Sequence, residues 1–466
     1  MHSPQRVSGL DDSFLSLETA PQPLQVFSVL ELNPATIPGG YRFERFRDEL
    51  SVRLQAMPEF REKMADTVLN LDFPVWVDDT EFDIERHVHR VSLPAPGGRA
   101  ELEELCGYLA GSRIDHSRPL WEMWVIEGLQ GGRLAVMLML HHAAADGVTF
   151  AGYLSRLCSM EPDPAPPNPV PAAPTATPLR IAVDGLVRFA RRPWHILRLL
   201  PATVRAVVET VRRVAAGRSM AIPFAAPRTV LNGRVTADRR VAMVRVDLDD
   251  VKKVARHFGV KVNDVVLALV GGQARRLLLD RGELPASSLT ALVPVSAHGA
   301  SDCSARNQVS GIYARLQTQI ADPAERLKTI AAESVVAKEH STAIGPTLLN
   351  EWGEVIGPVL LGLAKRVYTR LTRVRPMYNI VVSNVPGIQA PYFLGAQVSA
   401  MYMFGPVMHG AGLNFTLFSS NGGLHIAVIS CPSLLPDPRA LADGFSAGLA
   451  ELLAEVPGTA TSSAVG

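Results

Sequence analysis

His141 and His142, followed by Ala143-Ala144-Ala145-Asp146-Gly147, are the residues of this sequence best suited to chemistry. An unperturbed imidazole titrates near pH 6.5, so a neutral ring is available as a base at cytoplasmic pH. Such a base can take the proton of a hydroxyl as its oxygen attacks a thioester carbonyl, a role that typically contributes about 10²–10⁴-fold. One of the two rings is expected to be that base and the other to be held in packing. Asp146 is expected to lock the turn by pairing with an arginine, and Gly147 to relax the backbone there. A packing role for the pair is the plainer reading. A metal is not expected, because no further His, Cys or carboxylate cluster stands nearby at ligand spacing.

The elements must deliver that pair. The run Leu134–Leu140 is continuously apolar and follows Gly131-Gly132-Arg133. It reads as a strand buried on both faces. Alternation along a strand sends His141 and His142 to opposite sides, one into a cavity and one into packing. Helices are expected at Glu44–Met57, Arg99–Ser112 and Asp249–Phe258, and another after Asn263. Strands are expected at Trp121–Glu127, Arg240–Val246 and Leu289–Val295. A further helix starts at Asp322-Pro323, an N-cap followed by a first-turn proline. Strand and helix alternate through both halves, which argues α/β architecture.

Residues 1–158 form a first half. Residues 159–221 form a connector, proline-rich to 179 and basic and helical beyond. Residues 222–456 form a second half, and 457–466 a tail. From Pro376 to Leu435 there is no Lys, Arg, Asp or Glu. Gly, Pro and Asn interrupt this stretch too often for a long helix. It reads as buried strands and turns, including a hairpin through Asn421-Gly422-Gly423. Such an uncharged wall suits an acyl tunnel, and equally an ordinary core.

The chain has 466 residues, 47% of them hydrophobic and 20% charged, enough for two or three domains. Its net charge of +1 gives no reason to expect nucleic acid. Cys106, Cys158, Cys303 and Cys431 lie far apart, which fits reduced thiols in a cytoplasm. The first residues carry no apolar signal-peptide core, and no run of about 20 apolar residues suggests a spanning helix.

Residues 180–218 mix arginines with bulky apolar residues, with Pro201 expected to break the helix. Such a segment can lie in a membrane interface with Trp194, Phe189 and Leu197 inserted. It can equally be a packed connector with its arginines in water, or grip phosphates. Gly444-Phe445-Ser446-Ala447-Gly448 spells a serine-hydrolase elbow, but it falls on a helical pattern with no histidine after it. Asn263 is either an N-cap or a polar group turned toward substrate. Ser383 and Asn384 either line a tunnel or cap the turn before Pro386-Gly387.

The motif His141–Gly147 resembles the HHxxxDG signature of the bacterial wax ester synthase/diacylglycerol acyltransferase family. Further stretches are similar to that family's motifs in the same order: Leu10-Asp11-Asp12-Ser13-Phe14, Trp76-Val77-Asp78-Asp79, Pro119-Leu120-Trp121-Glu122, Asn263-Asp264 and Ser383–Gly387. The resemblance covers roughly residues 8 to 455. It implies two chloramphenicol-acetyltransferase-like subdomains facing across a central substrate tunnel. It implies transfer of an acyl group from acyl-CoA, a co-substrate rather than a cofactor, to diacylglycerol or a long-chain alcohol. The product is then triacylglycerol or wax ester. The base implied is His142, with His141 and Asp146 shaping the site, and Gly147, Asn263, Pro119, Leu120, Trp121, Ser383 and Asn384 are the substrate-side residues. Pro23-Leu24-Gln25-Val26 departs from the family's usual Pro-Met-His-Val, which puts acceptor preference in question. The expected location is the cytoplasm, with peripheral attachment to the inner membrane or lipid droplets. Alternatives are a condensation-type acyltransferase with another acceptor and a non-catalytic lipid-surface protein.

Overall fold

A computed structural model describes residues 5–171, 176–296, 306–345 and 347–457. The chain opens with α1 (Gly9–Leu17), β1 (Gln25–Asn33), α2 (Phe43–Leu54), β2 (Glu62–Ala65), β3 (Val75–Asp78) and β4 (Val88–Ser92). Next come α3 (Arg99–Ala110), β5 (Trp121–Glu127), β6 (Leu134–His141), α4 (Gly147–Leu157), β7 (Cys158–Ser159) and α5 (Pro178–Ala215). The later part holds β8 (Arg240–Asp247), α6 (Leu248–Phe258), α7 (Val262–Asp280), β9 (Thr290–Ser296), β10 (Val309–Arg315), α8 (Pro323–Ile344) and α9 (Leu348–Val374). It closes with β11 (Ile380–Ile388), β12 (Tyr392–Phe393), β13 (Ala396–Phe404), β14 (Leu413–Ser420), β15 (Gly423–Ser430) and α10 (Arg439–Ala454).

Two sheets carry the architecture. The first runs β4-β5-β6-β1-β13-β12-β7 and the second β10-β9-β11-β14-β15-β8. Each half thus has its own sheet with helices against it, but the first sheet takes β12 and β13 from residues 392–404. The uncharged stretch forms β11 to β15, and Asn421 and Gly422 both take positive φ in the tight turn between β14 and β15.

All eight residues of β6 are buried, because both of its faces are covered. Leu134, Val136, Leu138 and Leu140 enter a core with α2 and α4. Ala135, Met137 and Met139 enter another core with α3. Continuous apolarity, rather than alternation, is what such a strand requires.

α5 corrects the expected break. It runs unbroken from Pro178 to Ala215 through Pro193 and Pro201. Both prolines lie outside its buried contacts, where water can satisfy the carbonyls they leave open. Arg188 and Arg192 pin the helix to Asp72 at 2.7 and 2.6 Å, and Asp184 binds Arg6 at 2.7 Å. The serine-hydrolase spelling lies on α10, where a Cβ on Gly444 would collide with the Gln273 side chain of α7. Those glycines allow close helix packing. Cys106, Cys158 and Cys431 are buried free thiols; Cys303 lies outside the described residues.

Candidate active site

The histidines sit where β6 ends, between the strands that flank it. The His141 N–H donates to Leu120 O at 3.0 Å and the His142 N–H to Leu24 O at 2.9 Å. Trp121 Nε1–H donates to Phe60 O at 2.8 Å, and the His87 ring stacks on Trp121 with centroids 4.6 Å apart. Pro119, Leu120 and Trp121 therefore brace the histidine strand. Leu120 and Trp121 are buried, and none of the three lies on the wall of the cavity described below. Their expected contact with substrate is not where the structure puts them.

His141 faces inward and is fully buried. The Ala143 N–H donates to its Nδ1 at 3.1 Å, which fixes the neutral ring's proton on Nε2. Nε2 looks at Glu18 Oε1, 3.6 Å away, across a gap too long for a good hydrogen bond. Arg113 donates to Glu18 at 2.8 Å, and His116 Nε2 lies 3.1 Å from it. Burial pushes the Glu18 carboxyl up, but His116 and Arg113 outweigh it and bring it down to about 2. Burial carries His141 down to about 3 in spite of Glu18. A neutral histidine beside a carboxylate results. Ligand atoms of Glu18, His116 and His141 lie within 4.8 Å of one another, as a metal site would need. The His141 tautomer opposes that use, because its Nε2 carries a hydrogen and offers no lone pair. Gln25 pairs with His141 across β1 and β6, and its side chain donates to Ser112 O. The departure at Gln25 thus stands on the His141 side.

His142 turns the other way and is half-buried. Phe14 of α1 stacks on its ring with centroids 3.9 Å apart. Burial lowers its pKa, while its own carbonyl, the Asp146 charge and the Asn307 side chain oppose the shift. The ring is therefore neutral at pH 7, the state a base requires. Asn307 donates to His142 O at 2.8 Å and to Asp11 Oδ1 at 2.6 Å, tying α1 and the turn to the second half.

Asp146 caps α4, with Oδ1 accepting from Thr149 N at 2.8 Å. Its Oδ2 accepts from Gln308 N at 2.9 Å. These described bonds go to backbone amides, and the expected arginine is not among them. Gly147 lies outside the positive-φ region, so backbone freedom is not its purpose. A Cβ there would come 2.9 Å from Val385 Cγ2; glycine lets the start of α4 press against β11.

Beside this turn opens a cavity of about 450 Å³, lined by Asp146, Gly147, Asn263, Ser383 and Asn384 among others. Asn263 is the second residue of α7, whose N-cap is Lys261, so its expected N-cap role is not what is seen. Its Oδ1 lies 3.5 Å from Asn384 Nδ2. Ser383 and Asn384 are in β11 rather than in a turn, because that strand pairs with β14 through Val385. His142 is not on the described wall; Asp146 and Gly147 stand between its turn and the cavity. Phe14 and Asn307 were not singled out as site residues from sequence, although Phe14 belongs to the Leu10–Phe14 motif. Asn307 had no local signal.

Two facing sheet-and-helix halves with His-His-x-x-x-Asp-Gly at their junction define an acyltransferase of the condensation-domain type of fold. The family models of the wax ester synthase/diacylglycerol acyltransferase catalytic domain and C-terminal domain match residues 7–266 and 306–453. A Mycobacterium tuberculosis (strain CDC 1551 / Oshkosh) protein, provisionally named a diacylglycerol O-acyltransferase, is 50% identical over 452 residues, spanning 96% of this chain and 90% of that protein. The solved wax ester synthase/diacylglycerol acyltransferase of Marinobacter aquaeolei VT8 is 27% identical with a TM-score of 0.68, covering 96% of this chain and 98% of that one. The first condensation domain of the CDA synthetase, 16% identical with a TM-score of 0.57 over 98% of this chain and 97% of that one, shares the fold. The chain belongs to the wax ester synthase/diacylglycerol acyltransferase family and is an acyltransferase of that type.

Proposed function

We propose that this acyltransferase moves a long-chain acyl group from acyl-CoA to diacylglycerol or a long-chain alcohol, making triacylglycerol or wax ester. His142 takes the proton of the acceptor hydroxyl. The oxygen attacks the thioester carbonyl, and a tetrahedral intermediate forms. The C–S bond then breaks, and the departing sulfur takes the proton back from His142. Protons balance, no covalent acyl-enzyme is needed, and no further cofactor enters. The observation that carries this reading is a neutral, half-buried imidazole held by three strands next to a cavity between the halves.

The acceptor and product are lipids, and the outer face of α5 suits a lipid surface. Leu197, Val204 and Val211 stand seven residues apart and exposed, with Val183 two such steps before Leu197 and Trp194 beside them. Arg191, Arg198, Arg205 and Arg212 flank this stripe at the same spacing. Each would add about 1 kcal/mol near an anionic surface. No helix among the described residues is long and apolar enough to cross a membrane. Peripheral attachment, on the cytoplasmic side of the inner membrane or on lipid droplets, fits this face.

The test is thiol release from palmitoyl-CoA with diacylglycerol or hexadecanol, with His142→Ala alongside. Acceptor-dependent release should fall about 10²–10⁴-fold in the variant. Equal release in both would remove the base assignment. Release without acceptor would indicate thioester hydrolysis.

A further inference from the structure

The cavity beside Asp146 has a cationic mouth. Lys261, at the N-cap of α7, and Lys338, on α8, line it with Val335 and Thr342. The same four residues line an outer recess of about 510 Å³, to which α5 adds Arg213 and α8 adds Glu339. A hollow alongside is bordered by Arg212, Arg213 and Arg218, with Glu209. Three separate helices thus bring positive charge to one opening. The inner walls of the same cavity are largely apolar, with Leu267, Val293 and Ala331, and end at Asn263, Asn384 and the start of α4.

Local pairing does not consume this charge. Arg213 is shared between Glu209 at 2.7 Å and Glu339 at 3.7 Å, and Arg218 reaches Glu339 at 3.8 Å. Lys261 and Lys338 are exposed and form no ion pair among the described residues. Asp264 accepts the Lys261 backbone N–H, at 3.0 Å, and forms no ion pair with either lysine among the described residues. Free ammonium groups outside and an apolar passage inside fit a molecule that is anionic at one end and uncharged along its arm. Acyl-CoA has that distribution, with phosphates at the nucleotide end and a neutral arm leading to the thioester.

We propose that Lys261, Lys338 and Arg213 form the phosphate-binding mouth of the donor site, holding the nucleotide end of CoA while its arm runs past Asn263 toward His142. This rests on the acyl-CoA reading above and adds the residues and the direction of entry. Phosphate contacts by exposed cations weaken with salt, so CoA binding should too.

The experiment is direct binding of CoA by calorimetry to the full chain, with 3′,5′-ADP and pantetheine as competitors. Wild type should bind CoA in a salt-dependent way, and 3′,5′-ADP should compete with the same salt dependence, which any competition by uncharged pantetheine should lack. Lys261→Glu/Lys338→Glu should raise the Kd at least about tenfold, the low end for losing charge-assisted bonds. Arg42→Glu, a single charge reversal at the N-cap of α2 to set beside Lys338→Glu alone, should leave the Kd unchanged, and melting curves show that each variant folds. Equal affinity in wild type and the double variant overturns the proposal, as does absent wild-type CoA binding or failure of 3′,5′-ADP to compete. CoA binding lost in the double variant, with no acyl transfer by wild type, would leave this mouth standing and sink the catalytic reading instead.

Discussion

The ring of Phe14 lies parallel to the ring of His142, with centroids 3.9 Å apart and planes 12° apart. One face of the proposed base is therefore closed by a residue from the first helix. α1 is itself fixed: Asp11 binds Asn307, and the Gly9 N–H donates to Glu354 of α9 at 2.7 Å.

Phe14→Leu should lower kcat by up to about tenfold, since such a stack is worth roughly 0.5–1.5 kcal/mol. It should also move the pH profile. Burial holds the His142 pKa below 6.5, so the rate should fall only as pH drops through that lowered value and the ring gains its proton. With Phe14 gone the ring is better solvated, and the acid limb should shift upward toward 6.5. A pH–rate series on both proteins checks this, and an unmoved limb would refute the role given to Phe14.

Gly147→Ala should destabilise the chain by about 1–3 kcal/mol through overpacking against Val385. Val385→Ala in the same background should recover part of that loss. Urea unfolding of the two single variants and the double closes the cycle. Strictly additive losses would show that the two residues do not meet.

Burial raises Asp11 to about 7 from 3.8, against the bonds from Asn307 and Ser8 that favour its ionised form. At pH 5 the folded chain keeps this proton, while the unfolded chain has lost it. Its contribution to stability is therefore full below about pH 4 and is lost as pH rises to about 7, at most about 4 kcal/mol. Asp11→Asn cannot ionise, so the Tm difference between wild type and variant should change across that window and level off above it. A constant difference from pH 4 to 8 would contradict the shift.

What sequence revealed and what it hid divide by the range of the contacts involved. Trp121–Glu127 and Leu134–His141 have the expected bounds, because an apolar run between Arg133 and the histidines marks itself. Asp322-Pro323 starts α8 as its cap chemistry requires. The carboxylate behind His141 was not legible, since Glu18 and Arg113 meet across 95 positions of chain. The Gln308 amide that donates to Asp146 was not legible either, because it lies 162 positions along the chain. Sequence suggests backbone freedom at Gly147, because Val385, against which it packs, is remote along the chain. Proline suggested a break at 201, but a helix with that residue on its open side tolerates it.

β1 is hydrogen-bonded on one side to β6 and on the other to β13, from Phe27 opposite Phe404 to Asn33 opposite Gln397. During synthesis, then, an early apolar strand waits with a bare flank until most of the polypeptide has left the ribosome. Strands in that state invite mispairing. Cutting at the proline-rich connector should accordingly yield an N-terminal fragment prone to aggregate, and supplying the C-terminal piece in trans should rescue its solubility.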